Sequence, residues 1–215
     1  MVPKIKICCI SSIEEANLAI AQGAAALGLV AKMPSGPGII SDELIYTIAK
    51  AVPISIDTFM LTSETSAEAI IEHHKKTNTS TIQIVDTLSE GTYEQIKNAL
   101  PSINIVQVIH VLNESSIEEA LRISEQVDAL LLDSGNPNLQ TKELGGTGRV
   151  HNWNLSRKIV EQSKRPVYLA GGINPMNIKQ AIEEVKPYGI DLCSGVRTNN
   201  LLDPIKLEQL FNAIR

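Results

Sequence analysis

The chain of 215 residues carries a net charge of −5, with 43% hydrophobic and only 3% aromatic residues. That composition supports a sizeable core of Ile, Leu, Val and Ala, which suits helices packed on a parallel sheet better than a β-sandwich. With a pI near 5.4 and no lysine or arginine run, nucleic acid and anionic membranes are not expected partners, and no apolar run reaches the length of a membrane span.

Residues 4–10 alternate as a strand, with Lys4, Lys6 and Cys8 on one face and Ile5, Ile7 and Cys9 on the other. Ser12-x-x-Glu15 is a capping box for a helix over 13–22, and Gly23 marks its stop. A strand over 25–30, a helix over 41–51 and a strand over 53–59 come next. Thr65-x-x-Glu68 opens a helix over 64–76, before a strand over 80–85 and a helix over 90–99. A strand over 103–111 leads to a helix over 115–126, opened by Ser116-x-x-Glu119, and then to a strand over 128–133. The connection 134–152 is long and holds Gly145, Gly146 and Gly148, which suggests a lid or binding loop. Beyond it lie helices over 153–163, 175–185 and 204–214 and strands over 166–171 and 189–194. Asn174-Pro175 and Asp203-Pro204 each place a cap residue before a proline.

Eight strand-then-helix units without a linker predict a single (β/α)8 barrel over 1–215, with an open doubly wound sheet as the structural alternative. The N-terminus reads as a strand and not as a secretory signal. Three cysteines, with Cys8 and Cys9 on opposite strand faces and no C-x-x-C spacing, fit a reducing, cytoplasmic setting.

Inside a barrel, alternate strand residues face the axis. That parity aims Lys6 and Cys8, Ser55 and Asp57, Gln83, Asp133, and Asp191 and Cys193 inward. Asp133 falls at a strand's C-terminal end, where such barrels place their active sites. Polar groups buried there need partners, so their recurrence suggests a ligand-binding mouth. The plainer readings are a core thiol, an internal ion pair for Lys6 or an aspartate, and structural roles for Gln83 and Ser55. Cys9 and Cys193 read as packing residues, and the four histidines as incidental. Gly171-Gly172 and Ser194-Gly195 end the last two strands beside helix N-termini, a backbone arrangement that cradles phosphate.

Several segments resemble phosphoribosylanthranilate isomerases. KICCIS is similar to that family's KICGIT opening. GAAALGLV, LLLDS, GGTGRVHNW, LAGGINPMNI and GIDLCSGVR are similar to its later motifs, in the same order. The resemblance implies a (β/α)8 enzyme of tryptophan biosynthesis that performs an Amadori rearrangement on a phosphorylated sugar, without cofactor or metal, as a monomer or homodimer. It implies that Cys8 is the general base and Asp133 the general acid. It places the phosphate on Gly171, Gly172, Ser194 and Gly195, with Gly146 in a loop closing over the ligand. Lys6 is a candidate to stabilise the Cys8 thiolate, and Lys6, Gln83 and Asp191 are expected to line the binding site.

Four departures stand out. Gly38 occupies the place of the arginine that grips the anthranilate carboxylate. Val85 and Asp86 replace a histidine-glycine pair, Asn152 replaces an aspartate, and Arg197 replaces a glutamate. Arg197 is either the residue that takes over the lost grip or a solvated surface charge. A related barrel isomerase or lyase on another sugar phosphate, and a non-catalytic phospho-metabolite binder, remain the alternatives.

Overall fold

A computed structural model describes residues 2–139, 141–146 and 148–215. Eight parallel strands close into a barrel in sequence order, and β8 pairs back onto β1. The strands are β1 (Lys4–Ile7), β2 (Ala26–Val30), β3 (Asp57–Thr62), β4 (Thr81–Ile84), β5 (Asn104–His110), β6 (Ala129–Asp133), β7 (Val167–Leu169) and β8 (Gly189–Leu192). The helices are α1 (Ile13–Gln22), α2 (Asp42–Ala51), α3 (Ala67–Thr77), α4 (Tyr93–Ala99), α5 (Ser115–Ser124), α6 (Trp153–Gln162), α7 (Ile178–Val185) and α8 (Pro204–Ile214). The open-sheet alternative is therefore excluded. None of the described helices is long and apolar enough to cross a membrane.

Strand parity creates two separate apolar layers. Ile5, Ile7, Leu27, Leu29, Ile82, Ile84, Leu130 and Leu132 pack outward against the helices. Val30, Phe59, Leu61, Val106, Val108 and Leu131 fill the barrel itself. A period of two thus buries both faces of every strand, as a fully covered parallel sheet requires.

Two local expectations are corrected. The third strand starts at Asp57, because Pro53 to Ile56 form a turn in which the Ile56 N–H donates to the Pro53 carbonyl at 2.9 Å. Ser55 is consequently exposed. Asp57 sits at the N-terminal rim, 3.6 Å from Lys4, far from the C-terminal mouth. Three of the expected helix starts also move. Ser66, one residue after Thr65, caps α3. Ser116 lies within α5, its hydroxyl accepting from the Leu112 N–H and donating to the His110 carbonyl. Asn174 opens a turn that precedes α7. A complete capping box occurs at Thr92 and Gln95 instead. Ser12, Gly23 and Asp203 act at α1 and α8 as the sequence suggests.

Candidate active site

Strand pairing at β1 stops at Ile7, and the next two residues shape the site. Cys9 adopts φ +63°, a left-handed conformation rare for a side chain with a Cβ. Such a conformation costs about 1–2 kcal/mol. It also breaks the alternation. Cys8 and Cys9 both turn into the interior cluster, not to opposite faces as strand periodicity predicts. Cys8 is held in register by its N–H donating to the Leu192 carbonyl at 2.7 Å.

The two thiols open onto a cavity at the C-terminal mouth. Asp133 from β6, Asp191 and Cys193 from β8, and Gln83 from β4 line the same cavity. Gln83 is 3% exposed, and its Oε1 has no partner among the described residues.

Lys6 lies one layer below. It is wholly buried, with Nζ 2.8 Å from Asp191 Oδ1 and 5.1 Å from the Phe59 ring centroid. Gly28 makes this crowding possible, since a Cβ there would lie 2.6 Å from Cys8 Sγ and 3.0 Å from Lys6 Nζ. Burial works against the Lys6 charge. Asp191 and the nearby thiols overcome it, so the ammonium is retained more tightly than in water. The expectation that Lys6 lines the binding site is thus corrected: it touches the site through Asp191 and Cys8.

Cys8 is more acidic than an ordinary thiol. The neighbouring Cys9 thiol, able to donate to the thiolate, has the largest effect; burial opposes this, the Lys6 charge assists and Asp191 detracts. Asp133 moves the other way. Burial foremost raises its pKa, with Asp191 adding repulsion, while the Ser134 N–H, His110 and Lys6 pull against that shift. An acidic thiol and a proton-retaining carboxyl therefore face one cavity, which is the pairing that general base and general acid work needs.

The wall after β7 and β8 is made of backbone. Gly171 (φ +80°) and Gly172 (φ +64°) turn consecutively, and the Asn174 and Asn177 amides donate to the Gly172 carbonyl at 3.2 and 3.0 Å. A Cβ on Gly172 would lie 2.7 Å from the Arg149 backbone, and one on Gly148 3.6 Å from Ser194 Oγ. Gly171, Gly172, Ser194, Gly146 and Gly148 line the cavity. Gly195 stands just behind it, where a Cβ would fall 2.0 Å from the Ile173 carbonyl. This concave backbone surface suits an anion such as a phosphate.

The 134–152 connection folds across the mouth; two of its residues, Gln140 and Thr147, lie outside the described set. Lys142 Nζ pairs with Asp86 Oδ2 at 2.5 Å, and Ser35 Oγ donates to the Lys142 carbonyl at 2.5 Å. Leu144 is buried in the barrel cluster, and a Cβ on Gly146 would meet Pro37 Cδ at 2.5 Å.

Arg197 does not reach the mouth, which corrects its expected role as a carboxylate grip. Its guanidinium pairs with Glu15 at 2.9 Å and donates to the carbonyls of Cys8, Cys9 and Asn200. It braces the Cys8–Cys9 backbone from behind. Asn152 caps α6, its Oδ1 accepting from the Asn154 N–H. His110 and His151, which look incidental in the sequence, lie close to the site. His110 Nδ1 faces Gly135, and His151 Nδ1 faces Gly171. Burial drives the His151 pKa down to about 4.

A family model for N-(5'phosphoribosyl)anthranilate (PRA) isomerase matches residues 5–213. N-(5'-phosphoribosyl)anthranilate isomerase 2 of Methanosarcina mazei is 33% identical over 198 residues, covering 92% of this chain and 87% of that protein. The chain belongs to the PRA isomerase family. The PRA isomerase of Crocosphaera subtropica is 32% identical over 99% of this chain and 98% of that one. The crystal structure of the Thermotoga maritima PRA isomerase superposes with a TM-score of 0.81 at 25% identity, covering 99% of this chain and 98% of that chain.

Against the PRA isomerase pattern, the structure gathers Cys8, Gln83, Asp133, Gly146, Gly171, Gly172, Asp191 and Ser194 at one cavity. It leaves Lys6, Gly195 and Arg197 in supporting positions. Sequence reasoning missed Cys9, whose placement depends on a backbone angle. The available signal was a cysteine where the family's KICGIT motif has glycine.

Proposed function

We propose that the chain catalyses the Amadori rearrangement of N-(5'-phosphoribosyl)anthranilate to 1-(2-carboxyphenylamino)-1-deoxyribulose 5-phosphate, a step of tryptophan biosynthesis. Asp133 gives its proton to the ribose ring oxygen, the C1'–O bond breaks, and the anilino nitrogen's lone pair forms the iminium. The Cys8 thiolate then removes the C2' proton, and the enol so formed tautomerises to the ketose. Asp133 must be reprotonated and Cys8 deprotonated before the next turnover, so the cycle consumes no proton overall. The glycine turns after β7 and β8 hold the 5'-phosphate, and the long connection covers the reacting carbons.

The observation that carries this reading is the opposite protonation bias of Cys8 and Asp133 around one cavity. Acid and base each supply about 10²–10⁴-fold. Cys8→Ser and Asp133→Asn should each lower kcat by at least about 100-fold, followed by the loss of anthranilate-type fluorescence. Turnover within tenfold of wild type in both variants overturns the assignment. Complementation of a tryptophan auxotroph lacking this isomerase tests the substrate.

One feature favours a second reading of the substrate. None of the described side chains lining the cavity is cationic, and Gly38 stands where the family's arginine is expected. An N-substituted phosphoribosylamine without the carboxylate would then be turned over at least as well as phosphoribosylanthranilate. A clear preference for the carboxylated substrate rules that reading out.

A further inference from the structure

Two departures from the family pattern, cysteine for glycine at position 9 and glycine for arginine at position 38, meet in space. A Cβ on Gly38 would lie 2.5 Å from Cys9 Cβ, 3.0 Å from its Cα and 3.2 Å from its Sγ. The Cys9 side chain therefore fills the volume that any side chain at position 38 would need. Gly38 itself sits at φ +75°. These are two halves of one rearrangement.

Strain points the same way. Position 9 is left-handed, a conformation glycine adopts freely and cysteine does not. A residue held there against its preference is a sign of function, provided its surroundings show what it does. They do. Cys9 is 4% exposed, its Sγ lies 3.6 Å from the Pro37 carbonyl, and its side chain shares the cavity and the interior cluster with Cys8 and Cys193.

We propose that Cys9 is a positioning residue for Cys8: a second thiol, seated in the space that Gly38 vacates, donates its S–H to the Cys8 sulfur and holds it as a thiolate. The proposal rests on the reading of Cys8 as general base. A thiol has one proton and here two acceptors, the Pro37 carbonyl and Cys8. The carbonyl receives it while Cys8 is neutral. Once Cys8 ionises, the charged sulfur is the stronger acceptor and takes it.

The neighbouring charges leave this task open. Lys6 and Asp191, on β1 and β8, form a pair whose effects at the sulfur oppose each other. Arg197 binds the Cys8 and Cys9 carbonyls and is neutralised by Glu15. Asp133, from β6, is biased toward its neutral form. Met33, Pro37 and Gly38, after β2, bring no charge, and neither do Gly28 of β2 and Phe59 of β3. Cys9 itself is pushed well above the usual thiol range by its contacts with Cys193 and Cys8 and by burial, so it keeps the proton it donates.

The test uses the full-length, reduced protein and reads Cys8 without turnover. Alkylation of Cys8 by iodoacetamide, resolved by peptide mass spectrometry, is followed across pH in wild type, Cys9→Gly and Cys9→Ser. Cys9→Gly removes the donor and relieves the strain, so it should fold with an unchanged or raised Tm. Its alkylation profile should shift alkaline by about one unit, roughly a tenfold slower reaction below the thiol pKa. The acid limb of kcat/KM should move equally, with KM unchanged, and Cys9→Ser should restore most of both. A Cys9→Gly profile superimposed on wild type, or a lowered Tm with no shift, makes Cys9 a packing residue and overturns the proposal. If the shift appears while Cys8→Ser remains active, the thiol pair stands and the general-base reading falls. Gly38→Ala should lower Tm in wild type and clearly less in the Cys9→Gly background; equal losses would separate the two positions.

Discussion

After β7 and β8 the cavity wall is main chain: two consecutive left-handed glycines, backed by a third glycine pressed on a carbonyl and by amides that fix the turn. Across the cavity, above β1 to β4, the wall is side chains: thiols, Met33, Leu61, Val85 and the lid residue Leu144. The backbone end keeps the glycines of the family motifs, with its departures, Asn152 and Arg197, outside the cavity lining. The side-chain end carries the departures at positions 9, 38 and 85. Backbone recognition of an anion tolerates little change, because each N–H is placed by the turn and no rotamer can compensate. A wall of side chains can be repacked as a set, as Cys9 and Gly38 show.

The largest effect that would break this contrast is at the backbone end. A methyl group on Gly195 would sit 2.0 Å from the Ile173 carbonyl, so Gly195→Ala must move the β8 turn. We expect kcat/KM to fall about 100-fold, as displacements near 1 Å typically cost. Most of the loss should appear in KM, with inhibition by inorganic phosphate weakened in parallel. Gly189→Ala is the control. Its Cβ would meet Tyr168 at 2.4 Å, and β8 begins there, at the opposite end of the barrel. It should lower Tm with KM unchanged. Equal KM effects in both variants would remove the distinction between cradle and scaffold.

Lys6→Met comes next and tests what lies between the two ends. It would leave Asp191 buried without its partner, at a cost of about 3–5 kcal/mol in a urea titration. Lys6→Met combined with Asp191→Asn should recover much of that loss. No recovery would mean that Lys6 stabilises through its packing on Phe59 and not through the ion pair.

These contrasts also explain what was legible in the sequence. The barrel was, because outward Ile and Leu and inward mixed residues repeat with period two on every strand, and caps such as Ser12 and Asp203 punctuate the helices. The place of Asp133 at the mouth was, since it ends a strand whose parity is unambiguous. Cys9 was not, because alternation assumes extended backbone and one positive φ reverses a side chain. Arg197 was misplaced for a related reason. It comes after a single turn of 3₁₀ helix (Ser194–Val196) that strand parity does not describe, and Glu15, 182 residues away in sequence, claims its charge. Ser55 and Asp57 failed because Pro53 delayed the strand.

Asp133→Asn sharpens the contrast through stability. The folded carboxyl has a raised pKa, so its contribution to stability is complete below the ordinary value of 3.8 and is lost as pH rises through the folded one. The asparagine variant should therefore be more stable than wild type at pH 8, read as a higher Tm. The gain should shrink toward zero near pH 4. A gain that is constant with pH would place its origin in packing and not in the buried charge.

The smallest effect belongs to the lid. Lys142 is 44% exposed in its side chain while its partner Asp86 is 8% exposed, so solvent screens the pair from one side only. A half-exposed pair of this kind contributes about 0.2–1 kcal/mol. The Lys142 carbonyl is separately held by Ser35, so losing the charge should loosen the loop without freeing it. Lys142→Ala is thus expected to raise KM by about twofold to fivefold with kcat unchanged. Wild type in high salt should drift toward the variant, and the variant should show no salt response of its own. If KM rises instead by more than tenfold and the rise vanishes for a substrate lacking the aryl carboxylate, Lys142 is a substrate ligand. The cation missing from the side-chain end would then be supplied by the lid.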